Sequence, residues 1–110
     1  MDRQNLTLLT DLYELTMMQG YFRNKAQNET VIFDMFYRTN PLESGYAIAA
    51  GLEQMIQYVK ELHFSDEDIA YLASLNLFES DFLDYLRDFK FSGSIYAIPE
   101  GTIIFPREPI

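Results

Sequence analysis

The spacing of apolar residues predicts a helix near the start of the chain. Apolar positions recur there at intervals of three and four residues, which is typical of a helix with one face in a core. These positions are Leu8, Leu12, Leu15, Met18 and Phe22. Thr10 is the predicted N-cap of this helix, because a hydroxyl there can accept from a free backbone N–H. The polar run at residues 23–28 is the predicted end.

The middle of the chain is also predicted to be helical. Apolar residues return at helical spacing over residues 46–62. Residues 65–68, with the sequence Ser-Asp-Glu-Asp, resemble a capping box and predict a short third helix. Ser80 is the predicted cap of a fourth helix. These segments predict a set of amphipathic helices that share a core.

Three segments are predicted to be strands. Residues 30–38 are rich in β-branched and aromatic side chains, and their nearly continuous apolar character predicts burial on both faces. Residues 94–98 and 102–105 predict two more strands, joined by a tight turn with Pro99 at its second position and Gly101 at its fourth. The predicted fold class is α+β, a small mixed sheet packed with helices.

Composition narrows the class of protein. The chain has 110 residues, enough for one domain, and 48% of them are hydrophobic. It contains no cysteine and no apolar run long enough to cross a bilayer, so we expect a cytoplasmic protein without a membrane partner. Its net charge of −9 would repel a phosphate backbone, so nucleic-acid binding is not expected.

Few residues carry recognisable chemistry. The chain has no glycine-rich phosphate loop, and the acidic side chains of residues 61–88 fit a solvated helical face better than a metal site. Its one histidine, His63, is expected to satisfy carbonyls or face solvent. Asp11, Tyr13 and Arg38 remain open between a structural and a binding role. An acid and an aromatic in a first turn are more often structural, and a strand-end arginine either binds phosphate or extends to water.

Four blocks in order identify a resemblance that covers residues 8 to 109. They are Leu-Leu-Thr-Asp-Leu-Tyr-Glu-Leu-Thr-Met at 8–17, Phe-Asp-Met-Phe-Tyr-Arg-Thr-Asn-Pro at 33–41, Gly-Tyr-Ala-Ile-Ala-Ala-Gly-Leu at 45–52 and Tyr-Ala-Ile-Pro-Glu-Gly-Thr at 96–102. Together they closely resemble the N-terminal signature of nicotinate phosphoribosyltransferases. The resemblance implies the N-terminal domain of a type II phosphoribosyltransferase.

The resemblance also implies an activity for the complete enzyme. Such enzymes join nicotinate to 5-phosphoribosyl 1-diphosphate, giving nicotinate mononucleotide and pyrophosphate in a ligase reaction driven by ATP with Mg²⁺. This reaction is the entry to NAD synthesis from nicotinate. They form head-to-tail homodimers with shared active sites, and their catalytic histidine lies beyond residue 110. The 110-residue chain is therefore expected to hold no catalytic residue, to bind no cofactor or metal by itself, and to be inactive alone.

The resemblance assigns substrate contacts to four residues. Tyr13 is similar to the aromatic residue that stacks on the pyridine ring across the dimer interface, and Asp11 to the acid that orients that site. Arg38 is similar to a phosphate contact given to the neighbouring subunit, and Thr10 is a further candidate. His63 matches no catalytic motif of the family.

Two other functions stay open at this point. The chain could be a stand-alone dimerisation or interaction module that keeps the fold without the chemistry, or a sensor that binds nicotinate through Tyr13 and Arg38. The tail at residues 106–110 stops without a cap or a polar run. This tail predicts that the domain at residues 1–110 is a fragment of a longer chain, and the resemblance implies that the rest of that chain includes a barrel domain.

Overall fold

The computed structural model describes residues 4–110 and contains four α-helices and two short strands. In chain order these are α1 (Leu12–Arg23), β1 (Ala47–Ile48), α2 (Leu52–Glu61), α3 (Asp66–Ser74), α4 (Ser80–Arg87) and β2 (Ile103–Ile104). The described residues form two compact units. The first comprises the chain up to Thr30 together with Lys60–Phe91, and the second comprises Val31–Val59 and Ser92–Ile110. The α+β class predicted from the sequence is confirmed.

The first unit is helical, and its core lies where α1, α3 and α4 present their apolar faces. Its buried side chains are Leu15, Phe64, Ile69, Leu72, Phe82, Leu83 and Leu86. Phe82 is completely buried, with its ring centroid 5.7 Å from that of Phe22 and 5.8 Å from that of Phe78. The helical spacing predicted this packing correctly for Leu15, Met18 and Phe22, whereas Leu12 stays about half exposed.

The predicted capping box opens α3. The Ser65 hydroxyl accepts from the Asp68 N–H at 3.1 Å, and the Asp68 carboxylate accepts from the Ser65 N–H at 2.9 Å. Two backbone donors that the helix cannot satisfy internally are therefore paired by side chains.

Removing this cap should destabilise the first unit. We expect Ser65→Ala to lower the free energy of unfolding by about 1 kcal/mol, because the Asp68 N–H loses its acceptor while the helix stays intact. Urea unfolding followed by far-UV circular dichroism measures the change. Ser65→Thr, which retains the hydroxyl, should stay within about 0.5 kcal/mol of the parent. An equal loss in both variants would contradict the capping role.

The second unit contains an antiparallel pair of strands and residues 52–59 of α2. Ala47 pairs with Ile104 and Ile48 with Ile103. The pairing continues through Ala49, whose N–H donates to the Thr102 carbonyl at 2.9 Å and whose carbonyl accepts from the Gly101 N–H at 2.8 Å. The expected mixed sheet is therefore a two-stranded antiparallel sheet.

The strand predicted at residues 30–38 was wrong in both its structure and its burial. The segment has no assigned strand, and the side chains of Ile32 and Phe33 are 91% and 87% exposed. Within residues 4–110, two backbone hydrogen bonds from a distant segment reach it, from the Arg107 N–H to the Tyr37 carbonyl at 2.8 Å and from the Ile110 N–H to the Met35 carbonyl at 2.9 Å. The composition indicates extended backbone, but within the described residues no neighbouring strand completes a ladder.

Residues 94–98 also form no assigned strand, and the turn after them is displaced by one residue. The Thr102 N–H donates to the Pro99 carbonyl at 3.3 Å, so Pro99 occupies the first turn position and Gly101 the third. Gly101 has a φ of 84°, which a glycine adopts without strain and which a type II turn requires at its third position. The predicted positions of Pro99 and Gly101 are therefore corrected.

The helix predicted over residues 46–62 begins at Leu52. Gly51 has a φ of 93°, outside the helical region, and residues 47 and 48 are used by the sheet. The Glu100 carboxylate accepts from the Glu53 N–H at 3.3 Å and so satisfies a donor in the first turn of α2. The predicted caps at Thr10 and Ser80 are each displaced by one residue, because Asp11 and Glu79 hold those positions.

Candidate functional site

Three of the four residues assigned from the sequence lie at the start of α1 or directly before it. Asp11 holds the N-cap position, but its side chain makes no capping hydrogen bond. The Thr10 hydroxyl instead donates to the Glu14 carboxylate. The Asp11 side chain is exposed.

Tyr13 lies in the first turn of α1 and is 60% exposed. Its backbone carbonyl accepts from the Thr16 hydroxyl at 2.9 Å, which adds a local bond to the helix beneath it. The turn is anchored by Leu15, a core residue two positions further along. An aromatic ring with most of its surface in water, on a helix fixed to a core, is available to stack on a flat ligand at low cost in ordering.

Arg38 is exposed and follows a firmly held tyrosine. The Tyr37 hydroxyl lies 2.9 Å from both the Asn40 Oδ1 and the Ile104 carbonyl oxygen, two acceptors for its one proton. The Tyr37 carbonyl in turn accepts from the Arg107 N–H. Both the side chain and the backbone next to Arg38 are therefore fixed, while the guanidinium is free to bind an anion.

The structure groups the assigned residues into two sets. Thr10, Asp11 and Tyr13 belong to the first unit and lie within four consecutive residues at the start of α1, whereas Arg38 belongs to the second unit. Three of the four sequence blocks, at 33–41, 45–52 and 96–102, all fall in the second unit. Hydrogen bonds join the last two of them directly, through Ala49 with Gly101 and Thr102.

His63 has a structural environment, as its position in the sequence indicated. Its Nδ1 lies 2.8 Å from the Glu61 carbonyl oxygen, and its own carbonyl accepts from the Thr7 hydroxyl at 2.7 Å. Among residues 4–110 no group of three or more acidic, histidine or cysteine side chains could hold a metal ion. No helix in the same range is long and apolar enough to span a membrane.

Two buried polar residues, one in α1 and one before it, were not identified from the sequence. Gln19 and Thr7 are only 8% and 6% exposed. Gln19 lies four residues after Leu15 and therefore on the core-facing stripe of the helix. A polar residue at such a position is the signal that could have identified it. For Thr7, which precedes the helix, the sequence carries no comparable signal.

These features define an α+β domain that presents an aromatic ring, a carboxylate and a guanidinium at its surface. The family model described as the nicotinate phosphoribosyltransferase N-terminal domain matches residues 8–110. The chain therefore belongs to the family of nicotinate phosphoribosyltransferase N-terminal domains. The resemblance seen in the four sequence blocks is confirmed.

Relatives from distant organisms match the chain along nearly its whole length. Nicotinate phosphoribosyltransferase pncB2 of Mycobacterium tuberculosis is 40% identical over 102 residues, and nicotinate phosphoribosyltransferase of Bacillus subtilis is 42% identical over 106 residues. Nicotinate phosphoribosyltransferase 1 of Arabidopsis thaliana is 40% identical over 105 residues. These matches cover 93%, 96% and 94% of the chain but only 22%, 22% and 19% of the relatives. The chain thus spans about a fifth of the length of these enzymes.

Proposed function

We propose that this chain acts as the N-terminal domain of a nicotinate phosphoribosyltransferase, a type II phosphoribosyltransferase. The complete enzyme condenses nicotinate with 5-phosphoribosyl 1-diphosphate, forming nicotinate mononucleotide and pyrophosphate with hydrolysis of ATP, and so supplies NAD biosynthesis in the cytoplasm. The observation that carries the proposal is the family match over residues 8–110, which includes every residue assigned to substrate contact. The isolated chain has no activity, and its contribution is one wall of an active site completed by a second subunit.

The chemistry of nicotinate supports the role of the first turn of α1. Nicotinate carries a flat pyridine ring, and an exposed tyrosine on a fixed helix gains from offset stacking on such a ring. Tyr13 supplies this surface. Asp11 and Thr10, two and three positions before it, supply an exposed carboxylate and a hydroxyl at the edge of the same surface. We assign these three residues to the nicotinate side of the shared site.

The chemistry of the phosphoribosyl donor supports the role of Arg38. A guanidinium binds phosphate through two parallel hydrogen bonds, and this geometry requires a defined orientation of the guanidinium relative to the phosphate. The bonds that hold Tyr37 limit the positions from which Arg38 can extend. Arg38 is therefore assigned to a phosphate group of the donor or the product.

A large apolar surface on the second unit supports a role inside a larger protein. Its exposed hydrophobic side chains include Ile32, Phe33, Met35, Tyr96, Ile103 and Phe105. Exposure of this many large apolar side chains is typical of an interface. The proposal assigns this surface to contacts with the remaining four-fifths of the enzyme or with the second subunit of a head-to-tail homodimer.

ATP and Mg²⁺ are assigned to the rest of the enzyme. The carboxylates of the described residues do not converge into a set that could hold Mg²⁺, which takes six oxygen ligands in octahedral geometry. The side chains here therefore contribute binding and orientation, and the phosphoryl chemistry is carried out elsewhere in the protein.

A chimeric enzyme tests the proposal. In it, residues 8–110 of this chain replace the matching segment of the Bacillus subtilis relative, which is 42% identical to the chain. The measured quantity is nicotinate mononucleotide formed from nicotinate, 5-phosphoribosyl 1-diphosphate and ATP. Activity is expected from the chimera and not from the separate 110-residue chain.

Loss of the Arg38 guanidinium should affect the phosphoribosyl donor selectively. We expect Arg38→Ala in the chimera to raise KM for 5-phosphoribosyl 1-diphosphate by about tenfold, which corresponds to about 1.4 kcal/mol, because a charge-assisted bond to phosphate is lost. KM for nicotinate should change by less than about twofold. Steady-state kinetics with each substrate varied in turn provide both values.

Arg38→Lys is the matched control for this measurement. It retains the positive charge and loses the planar fork, so KM for the donor should lie between those of the parent and Arg38→Ala. A larger effect on nicotinate than on the donor in either variant would contradict the assignment of Arg38 to phosphate.

A further inference from the structure

The side-chain amide of Gln19, on the buried face of α1, is hydrogen-bonded through both its nitrogen and its oxygen. The Gln19 Nε2 donates to the Leu77 carbonyl at 3.0 Å, and its Oε1 accepts from the Glu79 N–H at 2.8 Å. One turn further along the helix, the Arg23 guanidinium pairs with the Glu79 carboxylate at 2.5 Å. The second half of α1 is therefore joined by directional bonds to the segment that leads into α4.

A second polar contact lies just before α1. The Thr7 hydroxyl lies 2.7 Å from the His63 carbonyl oxygen and 2.6 Å from the Asn5 Oδ1. The Asn5 amide donates to the Asp68 carboxylate at 2.9 Å, which links this contact to the cap of α3. Two tight turns then connect it to the helix, with the Leu9 N–H donating to the Leu6 carbonyl and the Thr10 N–H to the Leu8 carbonyl, each at 2.9 Å.

Apolar packing alone would leave the rotation of α1 poorly defined. The contacts of Leu15, Met18 and Phe22 with the core depend little on direction, since burial of apolar surface is not directional. Hydrogen bonds weaken steeply with misalignment, and a buried amide that loses its partners costs free energy. The Gln19 and Thr7 contacts therefore select one rotation and one axial position of the helix.

This rotation decides where the Tyr13 ring is presented. If α1 rotates by about 10° about its own axis, an atom that lies roughly 6 Å from that axis is displaced by about 1 Å. A misplacement of about 1 Å at a binding group can cost as much as 100-fold in rate. Tyr13 lies between the two contacts along the chain, so both act on it.

We propose that Gln19 and Thr7 are positioning residues for Tyr13, which fix the rotation of α1 so that the tyrosine ring meets the pyridine ring of nicotinate. This inference rests on the proposed function, because it takes Tyr13 as the stacking residue. Gln19 and Thr7 do not touch substrate and act only through the helix. Their effect should therefore appear in nicotinate binding and depend on the presence of the Tyr13 ring.

A double-mutant cycle in the chimeric enzyme tests the inference. Gln19→Met keeps the length of the side chain and removes both hydrogen bonds, and we expect it to raise KM for nicotinate about 3- to 10-fold with KM for the donor unchanged. In a Tyr13→Ala background the same substitution should raise KM for nicotinate by less than about 1.5-fold, because the ring that it positions is gone.

Three further variants separate positioning from a loss of stability. Leu15→Ala removes core packing beside Tyr13 and should lower the melting temperature while the ratio of the two KM values stays the same. Thr7→Val removes the second contact and should repeat the selective rise in KM for nicotinate, whereas Thr7→Ser, which keeps the hydroxyl, should restore the parent value. If Gln19→Met yields no folded enzyme, Thr7→Val replaces it in the double-mutant cycle with Tyr13→Ala.

The outcomes distinguish this inference from the proposed function. If Gln19→Met and Thr7→Val both keep the kinetics of the parent while Tyr13→Ala raises KM for nicotinate, the positioning role is overturned. The stacking role of Tyr13 then stays intact. Equal effects of Gln19→Met with and without the Tyr13 ring would also overturn it. Parent kinetics in Tyr13→Ala would overturn both.

Discussion

Tyr13→Ala in the chimeric enzyme is expected to raise KM for nicotinate by about 5- to 150-fold, which corresponds to about 1–3 kcal/mol of lost stacking. The side chain is 60% exposed and contributes little to the core, so the substitution removes a ligand contact without opening a cavity. Steady-state kinetics with nicotinate varied at saturating donor and ATP measure the effect. KM for the donor should stay within about twofold of the parent, because the proposal assigns the ring to nicotinate and not to the donor.

Tyr13→Phe provides the control for this prediction. It keeps the aromatic face and removes only the hydroxyl, so KM for nicotinate should remain within about threefold of the parent. If Tyr13→Ala leaves the nicotinate kinetics unchanged, the ring does not stack on the substrate. If Tyr13→Phe is as impaired as Tyr13→Ala, the hydroxyl and not the ring carries the interaction.

Phe82→Ala should cause a large loss of stability in the first unit. The side chain is fully buried and contacts Phe22, Phe78 and Tyr85, so its removal leaves a cavity that the surrounding rings fill only in part. We expect the free energy of unfolding of the 110-residue chain to fall by about 3–5 kcal/mol. Urea unfolding followed by the helical circular dichroism signal measures this quantity.

Phe33→Ala is the matched control, since it makes the same chemical change at a side chain that is 87% exposed. It should change the free energy of unfolding of the separate chain by no more than about 0.5 kcal/mol. Comparable losses in the two variants would mean that Phe33 is buried in solution and that the second unit has a different structure. A loss below about 1 kcal/mol for Phe82→Ala would contradict the core of the first unit.

The helices were predictable because their signals are local. Apolar residues at helical spacing identified the faces of α1, α3 and α4, and the four residues from Ser65 to Asp68 contain the whole capping box. The errors at the helix starts are of one residue for α1 and α4, and of six residues for α2. The α2 error arose because Gly51 was counted as part of a helical pattern although its backbone is left-handed.

The strands were less predictable because strand pairing is not local. Residues 30–38 have the side chains of a buried strand, but a strand needs a partner whose position the sequence pattern does not state. In the described residues, hydrogen bonds reach this segment only at Met35 and Tyr37. The two strands that do form, at residues 47–48 and 103–104, pair across more than fifty residues of chain.

The residues of the candidate site were assigned from the resemblance, and their contacts with substrate stay a prediction. Thr10, Asp11, Tyr13 and Arg38 were assigned from sequence blocks, and all four are exposed in the structure. The buried contacts that hold α1 were not predictable in this way, because the partners of Gln19 are backbone groups of Leu77 and Glu79, about sixty residues distant. Every residue type offers a backbone carbonyl, so a side chain that bonds to a remote backbone group does not require a particular residue type at that position.

Formation of nicotinate mononucleotide by the chimera with the Bacillus subtilis relative tests the central claim most directly. A second chimera, which carries the corresponding segment of the Mycobacterium tuberculosis relative, 40% identical to this chain, controls for the exchange itself. If this chain is the N-terminal domain of such an enzyme, both chimeras should form the product, and the Bacillus subtilis enzyme without the segment should not. A folded chimera that carries this chain and forms no product, beside an active control chimera, would contradict the claim.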